Sequence, residues 1–285
     1  MMKRVPLGRV YAHSVTSAEA LEQVKRLIAD GNGGYIVTPN VDHVVQAEHS
    51  DALVAAYQMA DLSLVDGQPL VWLSRIINDP FPEKISGSDF VPLLIERAAS
   101  ERWRVFLLGA QEGVGADAAK VLCSKHPDLR IVGIESPAFG FEHDPQYCER
   151  ILQSIAEARA DIVVVALGCP KQELLMHRWK TALAPAIAIG SGAALDFIAG
   201  NVKRAPPWMS RNGLEWLYRL IRQPRALAYR YLVRDPQILG IAWRTWRDSG
   251  RIPRLSLVTE APVPDPDHAS PPDPHAKPDP PARAA

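Results

Sequence analysis

Between residues 35 and 190 the chain alternates short continuous apolar runs with longer stretches whose apolar positions recur at helical spacing. The runs are Tyr35-Ile36-Val37, Leu62-Ser63-Leu64-Val65, Val105-Phe106-Leu107-Leu108, Ile131-Val132-Gly133-Ile134, Ile162-Val163-Val164-Val165-Ala166 and Ala186-Ile187-Ala188-Ile189. Runs of this length, bounded by Gly, Pro, Asn and Asp, read as strands buried on both faces. The intervening stretches predict helices over Ser17 (as cap) to about Ala29, 41–47, 51–59, 68–77, 88–99, 113–124, 145–159 and 171–182. Residues 5–15 suggest a small hairpin or edge strand. Strand–helix alternation of this kind predicts the α/β class, a parallel sheet with helices on both faces.

After Gly200 the pattern changes. Arg204, Arg211, Arg219, Arg222, Arg225, Arg230 and Arg234 are interleaved with Trp208, Trp216, Tyr218, Tyr229 and Tyr231. This predicts a basic appendage of amphipathic helices over 201–250, hinged at Pro224 and Pro236, beside an α/β core over 1–200. From about Ala261 the chain is rich in Pro, Asp and Ala, so 251–285 is expected to be a disordered tail.

Composition narrows the setting more than the function. Formal net charge is +0, so attraction to an anionic partner must be local to the arm. Cys123, Cys148 and Cys169 share no metal-ligand spacing, and an odd, sparse count suits a reducing compartment. The first residues lack the apolar stretch of a signal peptide. No apolar run approaches the ~20 residues of a membrane-spanning helix. The expected location is cytoplasmic, peripheral at the inner face of the membrane.

The candidate chemistry sits where strands end. Thr38, Asn40 and Asp66 fall just beyond two predicted strands, at the rim where open α/β sheets bind ligands. A hydroxyl, an amide and a carboxylate there are parts of a polar reaction site. The turn from Gly109 to Gly115 follows a strand and opens a helix. It either brings backbone N–H groups to a phosphate or is a tight strand–helix turn, and its spacing is not the dinucleotide GxGxxG. In Gly168-Cys169-Pro170-Lys171-Gln172-Glu173, Pro170 suits a first helical turn and Gln172 projects near the rim; a plain capped helix start is the alternative. Asp196, after the Gly190-Ser191-Gly192 turn, suits a ribose hydroxyl or a local cap. The arm suits anionic lipid headgroups, or is simply a solvated helical face. It shows no recognised nucleic-acid-binding module. The eight histidines are scattered and Asp265-Pro266-Asp267 lies in the tail, so no metal site and no cofactor are expected.

Taken in order, several blocks resemble the WecG/TagA/CpsF glycosyltransferases. They are Thr38-Pro39-Asn40, Ala60-Asp61 through Val65-Asp66-Gly67, Ser86-Gly87-Ser88-Asp89, Gly168 to Glu173, Gly192 to Phe197, and Arg204-Ala205-Pro206 with Gly213-Leu214-Glu215-Trp216-Leu217-Tyr218-Arg219. The resemblance implies a Rossmann-like core and inverting transfer of a sugar from a nucleotide donor, usually a UDP-sugar, to a polyprenyl-diphosphate-linked sugar. Such transfer serves teichoic acid and cell-surface polysaccharide assembly. The resemblance also implies that Asp66 is the catalytic base, that Thr38 positions substrate and that Gln172 shares their pocket. Lys84 stands where the family pattern leads one to expect Arg, keeping the charge but losing the bidentate fork.

Inverting transfer needs a base for the acceptor hydroxyl and positive groups for the departing diphosphate. Arg211, Arg219 and Arg222 are the arm's candidates for the second task, and Gly109 is placed near the donor phosphates. The competing readings are an NAD(P)-dependent oxidoreductase, suggested only by the glycine turns, and a non-catalytic nucleotide-binding membrane adaptor.

Overall fold

A computed structural model describes residues 2–206, 209, 214–222 and 224–249. A hairpin opens the chain, with β1 (Arg4–Leu7) antiparallel to β2 (Val10–His13). The main body then follows as α1 (Ser17–Asp30), β3 (Gly34–Val37), α2 (Val41–Ala47), α3 (Asp51–Gln58), β4 (Leu62–Ser63) and α4 (Gln68–Ile76). Next come α5 (Gly87–Glu101), β5 (Arg104–Gly109), α6 (Val114–Lys125), β6 (Arg130–Glu135) and α7 (Pro145–Glu157). The alternation closes with β7 (Ile162–Ala166), α8 (Lys171–Leu183), β8 (Ile187–Gly190) and α9 (Ala194–Ala199).

The six strands β3 to β8 form one all-parallel sheet in the order β4-β3-β8-β7-β5-β6. Alternate residues of one strand feed opposite layers, as the period of two requires. In β7, Val163 and Val165 face the layer that holds α2, α3, α4, α7, α8 and the hairpin. Ile162 and Val164 face α1, α5, α6 and α9. Every residue of β7 is buried, and each of its Ile and Val side chains contributes about 1.5–3 kcal/mol. A charged residue at Val164 would be the shortest route to breaking the sheet.

Local chemistry sets the element ends. Thr16, not Ser17, caps α1; its hydroxyl accepts from Glu19 N–H while the Glu19 carboxylate accepts from Thr16 N–H. That reciprocal pair fixes the start one residue before the expected cap. The Leu62–Val65 run pairs as a strand only over Leu62–Ser63. Pro170 sits just outside α8 as its cap position, so the helix proper begins at Lys171.

The arm contains α10 (Glu215–Arg222), α11 (Pro224–Tyr229), a wide turn over Arg230–Arg234, a tight turn over Asp235–Gln237 and α12 (Ile238–Ser249). Pro224 does begin a helix, whereas Pro236 lies in the tight turn that runs straight into α12. The arm packs on the body: Ile241 is buried with the hairpin and α2 residues. Gly8 N–H donates to Thr245 Oγ1 at 3.3 Å, and Arg244 pairs with Glu48 at 2.5 Å. Leu239 and Trp243, on the outer side of α12, are 73% and 62% exposed. The expected tail over 251–285 lies outside the described residues.

Candidate active site

Parallel strands end at the same rim, and β3 and β4 bring their ends together. Beyond the paired residues, Leu64 N–H donates to Val37 C=O and Asp66 N–H to Pro39 C=O, at 2.9 and 2.8 Å. Asp66 therefore lies beside Thr38 and Asn40. Gly67, at φ +107°, then turns the chain into α4, a conformation that disfavours any side chain.

Thr38 is buried, and its hydroxyl donates to Gly190 C=O at 3.3 Å. Gly87, at the start of α5, packs against the same hydroxyl and the Gly190 and Ser191 carbonyls. Gln172, also buried, lies beneath this turn. Its Oε1 accepts from Gly192 N–H at 3.3 Å and its Nε2 donates to Glu173 Oε1 at 2.8 Å. Thr38 and Gln172 thus both hold the Gly190–Gly192 turn. Asn40 caps α2, accepting from His43 N–H at 3.2 Å.

Asp66 keeps a partly open surface but sits deep enough that loss of solvation pushes its carboxyl up to about 7. Lys84 and Arg219 oppose that rise, while Glu215 and Asp89 reinforce it. Lys84 lies 3.4 Å from Asp89 and 4.0 Å from Glu215, and Arg219 lies 3.9 Å from Glu215. Arg204 completes the collar, 2.9 Å from Asp89, and Arg204 and Arg219 both lie over the Phe197 ring. A carboxyl that titrates near neutrality beside two cations can take up a proton and return it.

The other expected residues divide. Asp196 lies in the first turn of α9, beside Phe197, and burial raises its carboxyl above the usual range. Gly109 closes β5 at φ +102°, where a Cβ would stand 2.5 Å from Ala166 C=O; packing against β7 accounts for this glycine. Arg222 is exposed and donates to its neighbour Tyr218 Oη at 3.3 Å. Arg211 lies outside the described residues.

Three side chains meet behind Asn40 that no spacing rule pairs: His43, Cys169 and Glu173 place their ligand atoms within 4.8 Å of one another. Both ring nitrogens of His43 are engaged, Nδ1 with Tyr57 Oη at 2.7 Å and Nε2 with Asn40 Nδ2 at 3.2 Å. Burial, with Arg230 and Arg234 nearby, pushes this imidazole down to about 3. Burial also holds the Cys169 thiol and Glu173 carboxyl protonated to higher pH than usual. Such groups form a hydrogen-bonded cluster rather than an open donor set for a metal.

The family described as Glycosyl transferase WecG/TagA/CpsF matches residues 5–251, which includes every rim residue named above. The chain belongs to the WecG/TagA/CpsF glycosyltransferase family. It is 34% identical over 192 residues to an N-acetylglucosaminyldiphosphoundecaprenol N-acetyl-beta-D-mannosaminyltransferase of Bacillus spizizenii, covering 67% of this chain and 72% of that protein. The protein of the same name from Bacillus subtilis is 34% identical over 200 residues, or 70% of this chain and 76% of that one.

Within this glycosyltransferase family member, sequence reasoning missed Arg230 and Asp42. Arg230 donates through Nη2 to Asn40 Oδ1 at 3.4 Å and pairs through Nε with Asp42 Oδ2 at 3.5 Å. Its only signal in the chain was its membership of the arginine-rich arm. Asp42 looked like an ordinary first-turn acid of a helix.

Proposed function

We propose that this protein is an inverting glycosyltransferase that moves a sugar from a UDP-type nucleotide donor to a polyprenyl-diphosphate-linked sugar. The observation that carries the reading is Asp66: a strand-end carboxyl beside Pro39 and Asn40, raised to about 7 by burial against the opposing charges of Lys84 and Arg219, in a chain of this family. The relatives' printed names specify an N-acetylmannosaminyl group and an N-acetylglucosaminyldiphosphoundecaprenol acceptor, which supports the lipid-linked sugar as acceptor.

In the proposed step the acceptor hydroxyl attacks the anomeric carbon on the face opposite the nucleotide. The new carbon–oxygen bond forms as the bond to the diphosphate breaks, and the hydroxyl proton passes to the Asp66 carboxylate. Thr38 and Asn40 position substrate beside Asp66, while Gln172 holds the turn that faces them. Lys84 and Arg219, with help from Arg211 or Arg222, balance charge on the leaving diphosphate. Asp196 accepts from the donor ribose.

The acceptor's long apolar tail places the reaction at a bilayer, and no helix among the described residues is long and apolar enough to cross one. The arm supplies exposed Leu239, Trp243 and Leu232 with arginines around them, a surface suited to the inner face of the cytoplasmic membrane. Nucleic acid is not expected as a partner.

The test is UDP release with a panel of UDP-sugars and a polyprenyl-diphosphate-linked N-acetylglucosamine. Release with one donor, dependent on the acceptor, supports the reading. No acceptor-dependent release from any donor, with thermal protection by NAD instead, would overturn it.

A further inference from the structure

α2 begins at the reaction pocket and the arm crosses it. Asp42, in the first turn of α2, is 5% exposed, and its Oδ2 accepts from Gln46 Nε2 at 3.0 Å. Two guanidiniums of the arm close on this carboxylate. Arg234 Nη2 lies 2.6 Å from Oδ1 and Arg230 Nε 3.5 Å from Oδ2. Arg230 Nε also lies 3.6 Å from Asp235. The other end of Arg230 donates through Nη2 to Asn40 Oδ1 at 3.4 Å, beside Thr38 at the pocket's edge. A buried carboxylate in the first turn of α2 thus contacts a guanidinium that reaches Asn40.

Separate contacts keep the arm on the body. Ile241 is buried in the core, Thr245 accepts from Gly8, and Arg244 pairs with Glu48. None of these needs Asp42. Asp42 instead ties two arm guanidiniums to the start of α2, Arg234 closely and Arg230 together with Asp235.

We propose that Asp42 is a positioning residue for the transfer: through its ion pair with Arg230, shared with Asp235, it helps aim the guanidinium at Asn40, where it meets the diphosphate of a bound substrate. This rests on the transferase reading above. A planar guanidinium binds phosphate oxygens through parallel hydrogen bonds, so its orientation matters as much as its charge. Fixing that orientation before substrate arrives removes an ordering cost from the bound state. Neither Asp42 nor Arg230 stood out among the residues expected to act.

The experiment measures transfer and amide hydrogen exchange on full-length wild type, Asp42→Asn, Asp42→Glu, Arg230→Gln and the Asp42→Asn/Arg230→Gln double variant. Asp42→Asn is expected to lower kcat/KM by roughly tenfold to a hundredfold. Asp42→Glu should recover part of that loss. The double variant should be no slower than Arg230→Gln alone, because the two groups act as one unit. Exchange across Ile238–Ser249 should be unchanged in Asp42→Asn. Losses that multiply in the double variant, unchanged transfer in Asp42→Asn, or general loss of protection across α12 would each overturn the proposal. A crystal structure of Asp42→Asn gives a readout independent of turnover: Arg230 withdrawn from Asn40 supports the placement, and Arg230 still seated there overturns it. A wild-type protein without transfer would overturn the transferase reading, and that crystal structure would still decide the positioning.

Discussion

The backbone N–H of Asp66 donates to the carbonyl of Pro39 at 2.8 Å, past the last paired residues of β3 and β4. This bond joins the two strand-end loops, so the carboxyl of one loop and the hydroxyl and amide of the other share a single rim. It also carries Asp66 into a poorly solvated position beside Lys84, which sets how it titrates.

That titration should be visible in the rate. With the carboxyl at about 7, kcat/KM should fall as pH drops through that value, because the base is lost as it takes up a proton. Lys84 is the strongest charge opposing the rise, so Lys84→Met should move the acid limb to higher pH. A pH–rate series on both proteins checks the shift, and superimposable profiles would separate Lys84 from Asp66.

Gly109→Ala should destabilise the fold by about 1–3 kcal/mol, since the residue is held at φ +102° and a methyl would strike Ala166 C=O. Gly113→Ala, at φ +83° with open space around it, should cost about 1 kcal/mol. Denaturant titration compares them. Equal costs would mean that contact with β7 does not govern Gly109.

Transfer should survive exhaustive treatment with EDTA. His43 has both ring nitrogens engaged, and the charge of the leaving group is assigned to Lys84 and Arg219. Loss on chelation that zinc restores would direct attention to His43, Cys169 and Glu173; restoration by magnesium would indicate a metal at the diphosphate.

Membrane attachment is expected to depend on the outer side of α12. Leu239→Ser with Trp243→Ser should reduce sedimentation with anionic liposomes several-fold, while melting stays near wild type, because both side chains are largely exposed. Raising the salt should release the wild-type protein as well, through screening of the arginines. Liposome binding unchanged by both treatments would place attachment elsewhere.

The sheet was legible because its strands are continuous apolar runs, and the rim residues were legible because Pro39-Asn40 and Asp66-Gly67 interrupt those runs. Strand order was not, since β3 pairs with β8 across most of the chain and no local pattern records a partner. The same distance hid the join between Asn40 and Arg230. Gln172 reads as a rim residue, yet burial turns its amide to the Gly192 turn and to Glu173, a choice made by packing. The Thr16 cap was missed because Ser17 offers the same hydroxyl one residue later, and only the reciprocal Glu19 bond separates them.

The most direct test of the account is turnover of Asp66→Asn with the UDP-sugar donor and lipid-linked acceptor. Asparagine preserves the shape but cannot take the proton, so turnover should fall by roughly a hundredfold or more. Donor binding should persist. In the wild type the folded state holds the Asp66 proton more tightly than the unfolded chain, whose value is near 3.8, so this group's contribution to stability falls as pH rises from there to about 7. The variant should lack that slope and be at least as stable above neutrality. A folded Asp66→Asn protein that transfers sugar at the wild-type rate would contradict the central claim.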